Sequence, residues 1–318
     1  MANIVVPKTL QQAIKYYADL DVCQKELVDA RWPDGVACPT CGSQKLTYLV
    51  NQRRWQCHSK HPRRQFSVKV GTIFEDSPIG LDKWFTTIWL LSSAKNGISS
   101  YEVHRAIGVT QKTAWFMLHR IRLAMQTQSF LKMDGHVEVD ETYIGGKARN
   151  MHADKRMAMM GEKGNRWAGK IAVMGLLERR PEGASRVRVL PVENVRQSRL
   201  HPQVRAHVEA GANLYTDALH SYKGLTEYQH KVIDHAEKYV EGNVHTNGME
   251  NFWSLLKRTI KGTYISVEPF HLFRYLDEQS FRFNERKDVD SGRFANLLDS
   301  VVGRRLTYKQ LIGQKQPA

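Results

Sequence analysis

The sequence predicts an α/β domain in the second half of the chain, preceded by a small cysteine-bearing hairpin module and a group of helices. Three observations carry this. Residues 136–144 alternate apolar and polar as a half-buried strand does, and residues 171–177, 186–190 and 213–216 follow as further strands of the same sheet. Leu81, Trp84, Phe85, Ile88 and Leu91 recur at helical spacing. Of the four cysteines, Cys38, Cys41 and Cys57 crowd one basic segment near the N-terminus, and no cysteine follows Cys57.

With 318 residues the chain is long enough for a full catalytic core and one or two small domains. The boundaries expected are 1–76, 77–131, 132–290 and a C-terminal peripheral segment, 291–318. Lys and Arg number 47 against 32 Asp and Glu, a formal charge of +15. That excess favours a polyanion and supplies the non-specific part of DNA affinity; a basic surface kept for solubility is the plainer alternative. There is no apolar run near the ~18 residues a membrane span needs. The first residues, MANIVVPKTLQQAIKYY, lack the pattern of a secretory signal, so the protein is expected to stay where it is made.

The first region holds Cys38-x2-Cys41 in a Pro/Gly turn, the knuckle that aims two thiolates at one ion. Short strands at 46–49 and 54–56 lead into Cys57 and suggest hairpins supplying a second knuckle, the arrangement of a zinc ribbon. Tetrahedral zinc takes four ligands. His61, four residues beyond Cys57, is preferred over the adjacent His58, because neighbouring side chains rarely converge on one ion. Cys23 is the outside candidate, although it falls in an apparently helical stretch and suits a buried small hydrophobe. One zinc held here would be folding energy, not catalysis. Reduced structural thiols without metal are the alternative.

In the second region Ser99 and Glu102 form a capping box, Gly108 breaks the helix they start, and Thr110 caps the next, which carries Trp115, Leu118 and Ile121. Helix, short glycine-containing turn and helix make a helix-turn-helix pattern. Gln111, Lys112 and Thr113, at the exposed start of its second helix, could reach a major groove. Ordinary packed helix pairs share the pattern.

In the third region Asp140 sits on the 136–144 strand, which Gly145 and Gly146 end. A basic stretch with Lys147 and Arg149 follows. Residues 203–210 look helical, Asp217 closes the 213–216 strand, and Asn247-Gly248-Met249-Glu250 opens a helix to Thr259. Carboxylates on a strand, a strand end and a helix can hold magnesium or manganese, and two such ions serve both oxygens of a phosphoryl transfer. Each acid also has a structural reading. Glu138 shares the Asp140 face and is the fallback ligand, whereas Glu141 faces the other way. Asp217 can shape a turn. Glu250 falls at the third helical position after Asn247, so the pair can be a capping box. Lys257 and Lys261, seven and eleven positions on, lie roughly on the Glu250 face, with Arg258 beside them, placed for DNA phosphates. His245 can orient the attacking group or a phosphate, or be a turn residue. Phe294, Leu297, Leu298, Leu306 and Leu311 mark peripheral helices at the end of the chain.

These residues resemble a family, the bacterial insertion-sequence transposases of the ISXO2-like, or IS1595, type. The likeness spans nearly the whole chain. It rests on Cys38-Pro39-x-Cys41-Gly42, on Arg64-Gln65-Phe66-Ser67-Val68 running on to Gly71-Thr72-Ile73-Phe74-Glu75-Asp76-Ser77, and on Val139-Asp140-Glu141-Thr142-Tyr143-Ile144-Gly145-Gly146. It continues through Tyr215-Thr216-Asp217, Glu250-Asn251-Phe252-Trp253-Ser254-Leu255-Leu256-Lys257-Arg258, Gly262-Thr263-Tyr264 and Tyr275-Leu276-Asp277-Glu278. The resemblance implies a zinc ribbon and a ribonuclease-H-like catalytic domain, a mixed sheet with flanking helices. It implies that Asp140, Asp217 and Glu250 are the catalytic acids, with His245 and Asn247 at the polar positions before the third. Where many members repeat Cys-x2-Cys, this chain has Cys57-His58-Ser59-Lys60-His61. The activity implied is Mg2+- or Mn2+-dependent cleavage at inverted-repeat ends and transfer of the freed 3′-hydroxyl to target DNA. A homo-oligomer pairing two DNA ends, and a bacterial cytoplasmic, nucleoid-associated location, are implied as well.

Overall fold

The computed structural model describes residues 7–126, 131–146, 152–154, 157, 169–180, 183–233 and 245–313. The chain divides into two units, residues 1–125 with 288–318, and residues 126–287.

In the first unit, helices α1 (Leu10–Tyr17) and α2 (Leu20–Arg31) precede an antiparallel sheet of β1 (Leu46–Leu49), β2 (Arg54–Cys57) and β3 (Gln65–Ser67). Trp55 and Phe66 face each other across β2 and β3 with rings stacked 5.7 Å apart, the cross-strand aromatic pairing that stabilises so small a sheet. Helices α3 (Leu81–Ser93), α4 (Ser100–Ile107) and α5 (Gln111–Met125) follow. The Ser99–Glu102 capping box forms as predicted, through bonds of 3.2 and 2.7 Å. Gly108 ends α4 at φ 63°, a left-handed turn that glycine enters without steric cost. Thr110 Oγ1 then accepts from the Thr113 amide at 3.1 Å to start α5.

The end of the chain returns to this unit. Helix α9 (Asp290–Asp299) buries Phe294, Leu297 and Leu298, and the Phe294 ring lies 5.2, 5.8 and 5.3 Å from those of Tyr17, Phe85 and Trp89. Buried Arg120 of α5 donates to the carbonyls of Ile73, Glu75 and Leu306, so one guanidinium satisfies three backbone acceptors from two distant segments.

The second unit is a five-stranded mixed sheet in the order β6-β5-β4-β7-β8, built from β4 (His136–Gly145), β5 (Lys170–Arg179), β6 (Arg186–Val192), β7 (Asn213–Asp217) and β8 (Gln229–Ile233). Strands β4, β5 and β6 pair antiparallel, whereas β7 runs parallel to both β4 and β8. On one face Val137, Val139, Met174, Leu176 and Leu214 pack against Leu200 and Val204 of α6 (Gln197–His207). On the other, Val173, Leu177 and Val187 meet Met249, Phe252, Trp253 and Leu256 of α7 (Asn247–Thr259), with Leu276 and Phe283 of α8 (Leu272–Asn284) behind them. Both faces are covered, and the middle of β5, residues 171–177, is accordingly a near-continuous apolar run, whereas β4 carries His136, Glu138, Asp140 and Thr142 on one face.

Helix α6 begins before the predicted 203–210 segment, with Pro202 inside it and not at its boundary, and ends sooner, at His207. Pro202 is on the exposed side, where solvent can reach the carbonyl its missing N–H leaves without a partner. Among the described residues no helix is long and apolar enough to cross a membrane.

Candidate functional site

Two groups of side chains have chemistry beyond packing. The first is in the small sheet. Backbone bonds Cys38 N to Ser43 O and Gly42 N to Cys38 O close one knuckle, and Cys57 N to Arg64 O shapes the other. The ligand atoms of Cys38, Cys41, Cys57 and His61 all lie within 4.8 Å of one another. Cys41 and Cys57 sulfurs are 3.7 Å apart, and Cys38 Sγ is 3.5 Å from His61 Nε2. Ligands at the usual zinc distances of about 2.3 Å (S) and 2.0 Å (N), held tetrahedrally, would stand about 3.8 and 3.5 Å apart, so the cluster fits the ion.

His61 Nδ1 lies 2.7 Å from the Pro62 carbonyl, which can only accept, so Nδ1 carries a proton and Nε2, turned to the sulfurs, is the nitrogen that would bind the ion on giving up its own proton. The other two candidates are turned elsewhere. His58 Nε2 bonds Thr47 Oγ1 at 2.8 Å. Cys23 is fully buried, its thiol donates to the Tyr17 carbonyl, and burial pushes it up to about 12. His61→Ala is expected to lower zinc affinity by about a hundred-fold or more, since a ligand and its share of the folding energy go together. His58→Ala and Cys23→Ser should each keep one zinc per chain. Metal content after dialysis against a weak chelator checks this, and full retention in the His61 variant would refute the ligand.

The second group is on the sheet of the other unit. Parallel pairing of β4 with β7 sets Glu138 opposite Tyr215. The ladder ends at that pair; two residues on lie Asp140, within β4, and Asp217, the last residue of β7. Asp140 accepts from the Glu141 amide at 2.8 Å and from Trp253 Nε1 of α7 at 2.9 Å. Burial raises its carboxyl to about 6; the charges of Asp217 and Glu250 add to the rise, and the two hydrogen bonds oppose it. Three acids thus share one electrostatic neighbourhood. Asp217 also takes the Leu219 amide at 3.1 Å, so its turn-shaping role is present beside its place in the cluster. Glu141 is held well above the usual carboxylate range, first by burial and then by Asp140 and Asp217. Among the described residues, the zinc-type cluster is the one set of three or more such donors gathered tightly enough for a single ion. Asp140, Asp217 and Glu250 are neighbours without closing to that degree.

The start of α7 differs from the predicted capping box. Thr246, not Asn247, is the N-cap, and its side chain makes no capping bond. The cap comes from across the sheet: Glu138 Oε2 accepts from the Met249 amide at 2.9 Å, while its Oε1 pairs with Arg179 Nε at 2.6 Å. A carboxylate only 1% exposed is tolerable because both oxygens are engaged, one by a cation and one by a helix N-terminus. Glu138, the fallback ligand, is therefore committed to structure. Glu250 is exposed one residue further on, and its amide bonds the Thr246 carbonyl.

Three residues that position this site went unnoticed in the sequence. Trp253 packs in the core beneath α7, and its indole N–H also holds Asp140. Gly175, opposite Asp140 on β5, lets α7 approach; a glycine within an apolar strand was the available signal. Arg179, at the end of β5, carried no signal at all.

Of the predicted DNA contacts, Lys257, Arg258 and Lys261 are exposed along α7 and its π-helical continuation. Gln111 donates to Ser100 Oγ at 2.8 Å, Thr113 bonds Thr110, and exposed Lys112 lies 4.8 Å over the Tyr308 ring. Lys147 and Arg149 lie outside the described residues.

Comparison with known proteins brings both groups together. The model of the ISXO2-like transposase domain matches residues 132–284, and that of the transposase zinc-ribbon domain matches residues 20–59. An uncharacterized protein in transposable element ISH50 of Halobacterium salinarum is 27% identical over 241 residues, covering 73% of this chain and 80% of the relative. An uncharacterized transposase-like protein of Haemophilus influenzae is 33% identical over 101 residues, covering 31% of this chain and 81% of the relative.

Proposed function

Because the chain belongs to the ISXO2-like, IS1595-type family of transposases, we propose that it is a DDE-type transposase that cuts DNA at inverted-repeat ends and joins the freed 3′-hydroxyl to target DNA. The observation that carries this reading is that Asp140 of β4 has Asp217, at the end of the parallel strand β7, and Glu250 of α7 close enough for their charges to add to the rise of its carboxyl. A mixed sheet with the first acid on its first strand and the second at the end of its fourth supports a ribonuclease-H-like catalytic domain.

An all-oxygen donor set suits Mg2+ or Mn2+, which Asp140, Asp217 and Glu250 would hold. When bound, a pair of such ions supplies an activated oxygen nucleophile and charge relief at the leaving oxygen. In the first step a water oxygen bonds to phosphorus as the bond from phosphorus to the 3′-oxygen breaks, leaving a 3′-hydroxyl and a 5′-phosphate. In the second, that hydroxyl attacks a target phosphodiester. One ester bond forms as one breaks, so no energy source or covalent enzyme intermediate is needed. His245 and Asn247 flank the third acid and would contact the reacting phosphate. Lys257, Arg258 and Lys261 would neutralise flanking phosphates, as would Lys147 and Arg149. The zinc ribbon and the α4–α5 pair, through Gln111, Lys112 and Thr113, would dock double-stranded DNA at the inverted repeats. Pairing two ends calls for a homo-oligomer of at least two chains.

The test is cleavage and joining on DNA carrying the inverted repeats that flank the gene. Strand cuts at the repeat ends should require Mg2+ or Mn2+ and disappear in Asp217→Asn, which should still bind the same DNA. End-specific binding with no cleavage under any divalent ion would instead make the protein a DNA-binding factor.

A further inference from the structure

Arg179 makes contacts that say more about the site than its family does. A guanidinium has only donors. Its Nη2 lies 2.8 Å from His245 Nδ1 and 2.6 Å from the His245 carbonyl, while Nε pairs with Glu138 at 2.6 Å. A donor facing Nδ1 needs a lone pair there, so the neutral imidazole must carry its proton on Nε2. The opposite tautomer would need Nδ1–H to find Glu138 Oε1, which at 3.6 Å is beyond a proper hydrogen bond.

We infer that Arg179 is a positioning residue that fixes His245 as the Nε2–H tautomer, which makes His245 a hydrogen-bond donor to a phosphate oxygen. With Nδ1 occupied and Nε2 protonated, His245 is then neither a general base nor a metal ligand. The naming of a DNA phosphate as acceptor rests on the transposase reading above; the tautomer does not.

The surroundings lock the guanidinium in place. It lies 4.6 Å over the Tyr215 ring, and its partner Glu138 is buried and spends its second oxygen on the Met249 amide. One guanidinium thus ties the end of β5 to β4, to the first turn of α7 and to the residue that leads into it. Glu250 follows Met249 directly, so the link that sets the His245 proton also holds the helix of the third acid. His245 is 26% exposed, leaving its ring accessible to a substrate oxygen. Burial and the Arg179 charge lower its pKa, which favours the neutral ring that the geometry requires.

Long-range 1H–15N correlation on the full chain, labelled at histidine, reads the tautomer directly, with His245→Gln assigning the signal. Wild-type protein at pH 7.5 should show a neutral ring with Nε2 protonated. Arg179→Leu should give a mixed or Nδ1–H pattern with unchanged far-UV circular dichroism, and Arg179→Lys should retain part of the wild-type pattern. In the cleavage assay Arg179→Leu should lose about ten- to a hundred-fold in rate, the scale seen when partners orienting a catalytic group are removed. His245→Gln, whose amide can place N–H near the Nε2 position, should retain more activity than His245→Asn. An Nδ1–H tautomer or an imidazolium in the wild type would overturn the inference, as would an unchanged tautomer in a folded Arg179→Leu variant. The spectra need no DNA, so a wild-type protein that fails to cleave refutes the transposase reading and still leaves the tautomer decided.

Discussion

Asp140→Asn is expected to reduce divalent-dependent strand cleavage on the order of a thousand-fold or more, the scale of losing a group on which the chemistry depends, and to change how stability follows pH. The second effect is the more specific. In the folded protein the Asp140 carboxyl sits at about 6 against an ordinary 3.8. The native state therefore binds this proton more tightly than the unfolded chain does, and the ionised form is the strained one. The sign follows: the penalty is absent below about pH 4, grows between pH 4 and 6, and is complete above. A shift of this size corresponds to at most about 3 kcal/mol, because each unit is worth about 1.4. Asparagine cannot ionise and escapes the penalty. It has one oxygen where Asp140 has two acceptors for the Glu141 amide and the Trp253 indole, which costs about 1 kcal/mol. The variant should be less stable than wild type at pH 4 and equal or more stable at pH 7.5. Mg2+ should raise the melting temperature of the wild type and not of the variant, since only a ligand bound to the folded state stabilises it. Parallel stability curves across this pH range would show that Asp140 is not under the charge load inferred for it.

How far the sequence could be read follows from the range of each interaction. The capping box at Ser99, the αL stop at Gly108 and the alternation in β4 are local, and they formed as predicted. Cys-x2-Cys spacing is local too, and a third cysteine with a nearby histidine sufficed to suggest the cluster that the structure gathers. The acids were legible as candidates, but their neighbourhood depends on β4 and β7 lying side by side, a pairing between residues 77 apart that periodicity does not report. For the same reason the cap on α7 was assigned to Asn247, three residues away, when it comes from Glu138 on another strand. Arg179 was invisible because nothing in its local pattern separates it from the neighbouring Arg180. The packing of Phe294 against Tyr17 and the bond from Arg120 to the Leu306 carbonyl are long-range in the same sense, and amphipathic pattern alone named no partner for Phe294.

Gly175 provides the sharpest test of how the site is assembled. It lies opposite Asp140 in the β4–β5 ladder, under α7. A Cβ built there would stand 2.1 Å from Met249 Cε and 2.6 and 2.8 Å from two atoms of the Trp253 ring. The methionine end can swing aside. The indole cannot do so cheaply, because its N–H is bonded to Asp140 and its ring packs against Phe252 at 5.3 Å. Gly175→Ala must therefore lift α7 from the sheet or expel the ring, an overpacking cost of about 1–3 kcal/mol. Gly175→Val should exceed that range, despite valine's preference for strands. Either response pulls the indole from Asp140 and shifts Glu250 relative to the two aspartates. Displacements near 1 Å commonly cost about a hundred-fold in rate, so the alanine variant should remain folded yet lose at least that much cleavage. Trp253→Phe separates the two contributions. It keeps most of the ring's burial and removes only the bond to Asp140, so it should lose activity with a smaller change in denaturation midpoint than Gly175→Ala. Wild-type stability and cleavage in Gly175→Val would mean that α7 does not press on β5 as described, and Glu250 would then have no fixed place beside Asp140.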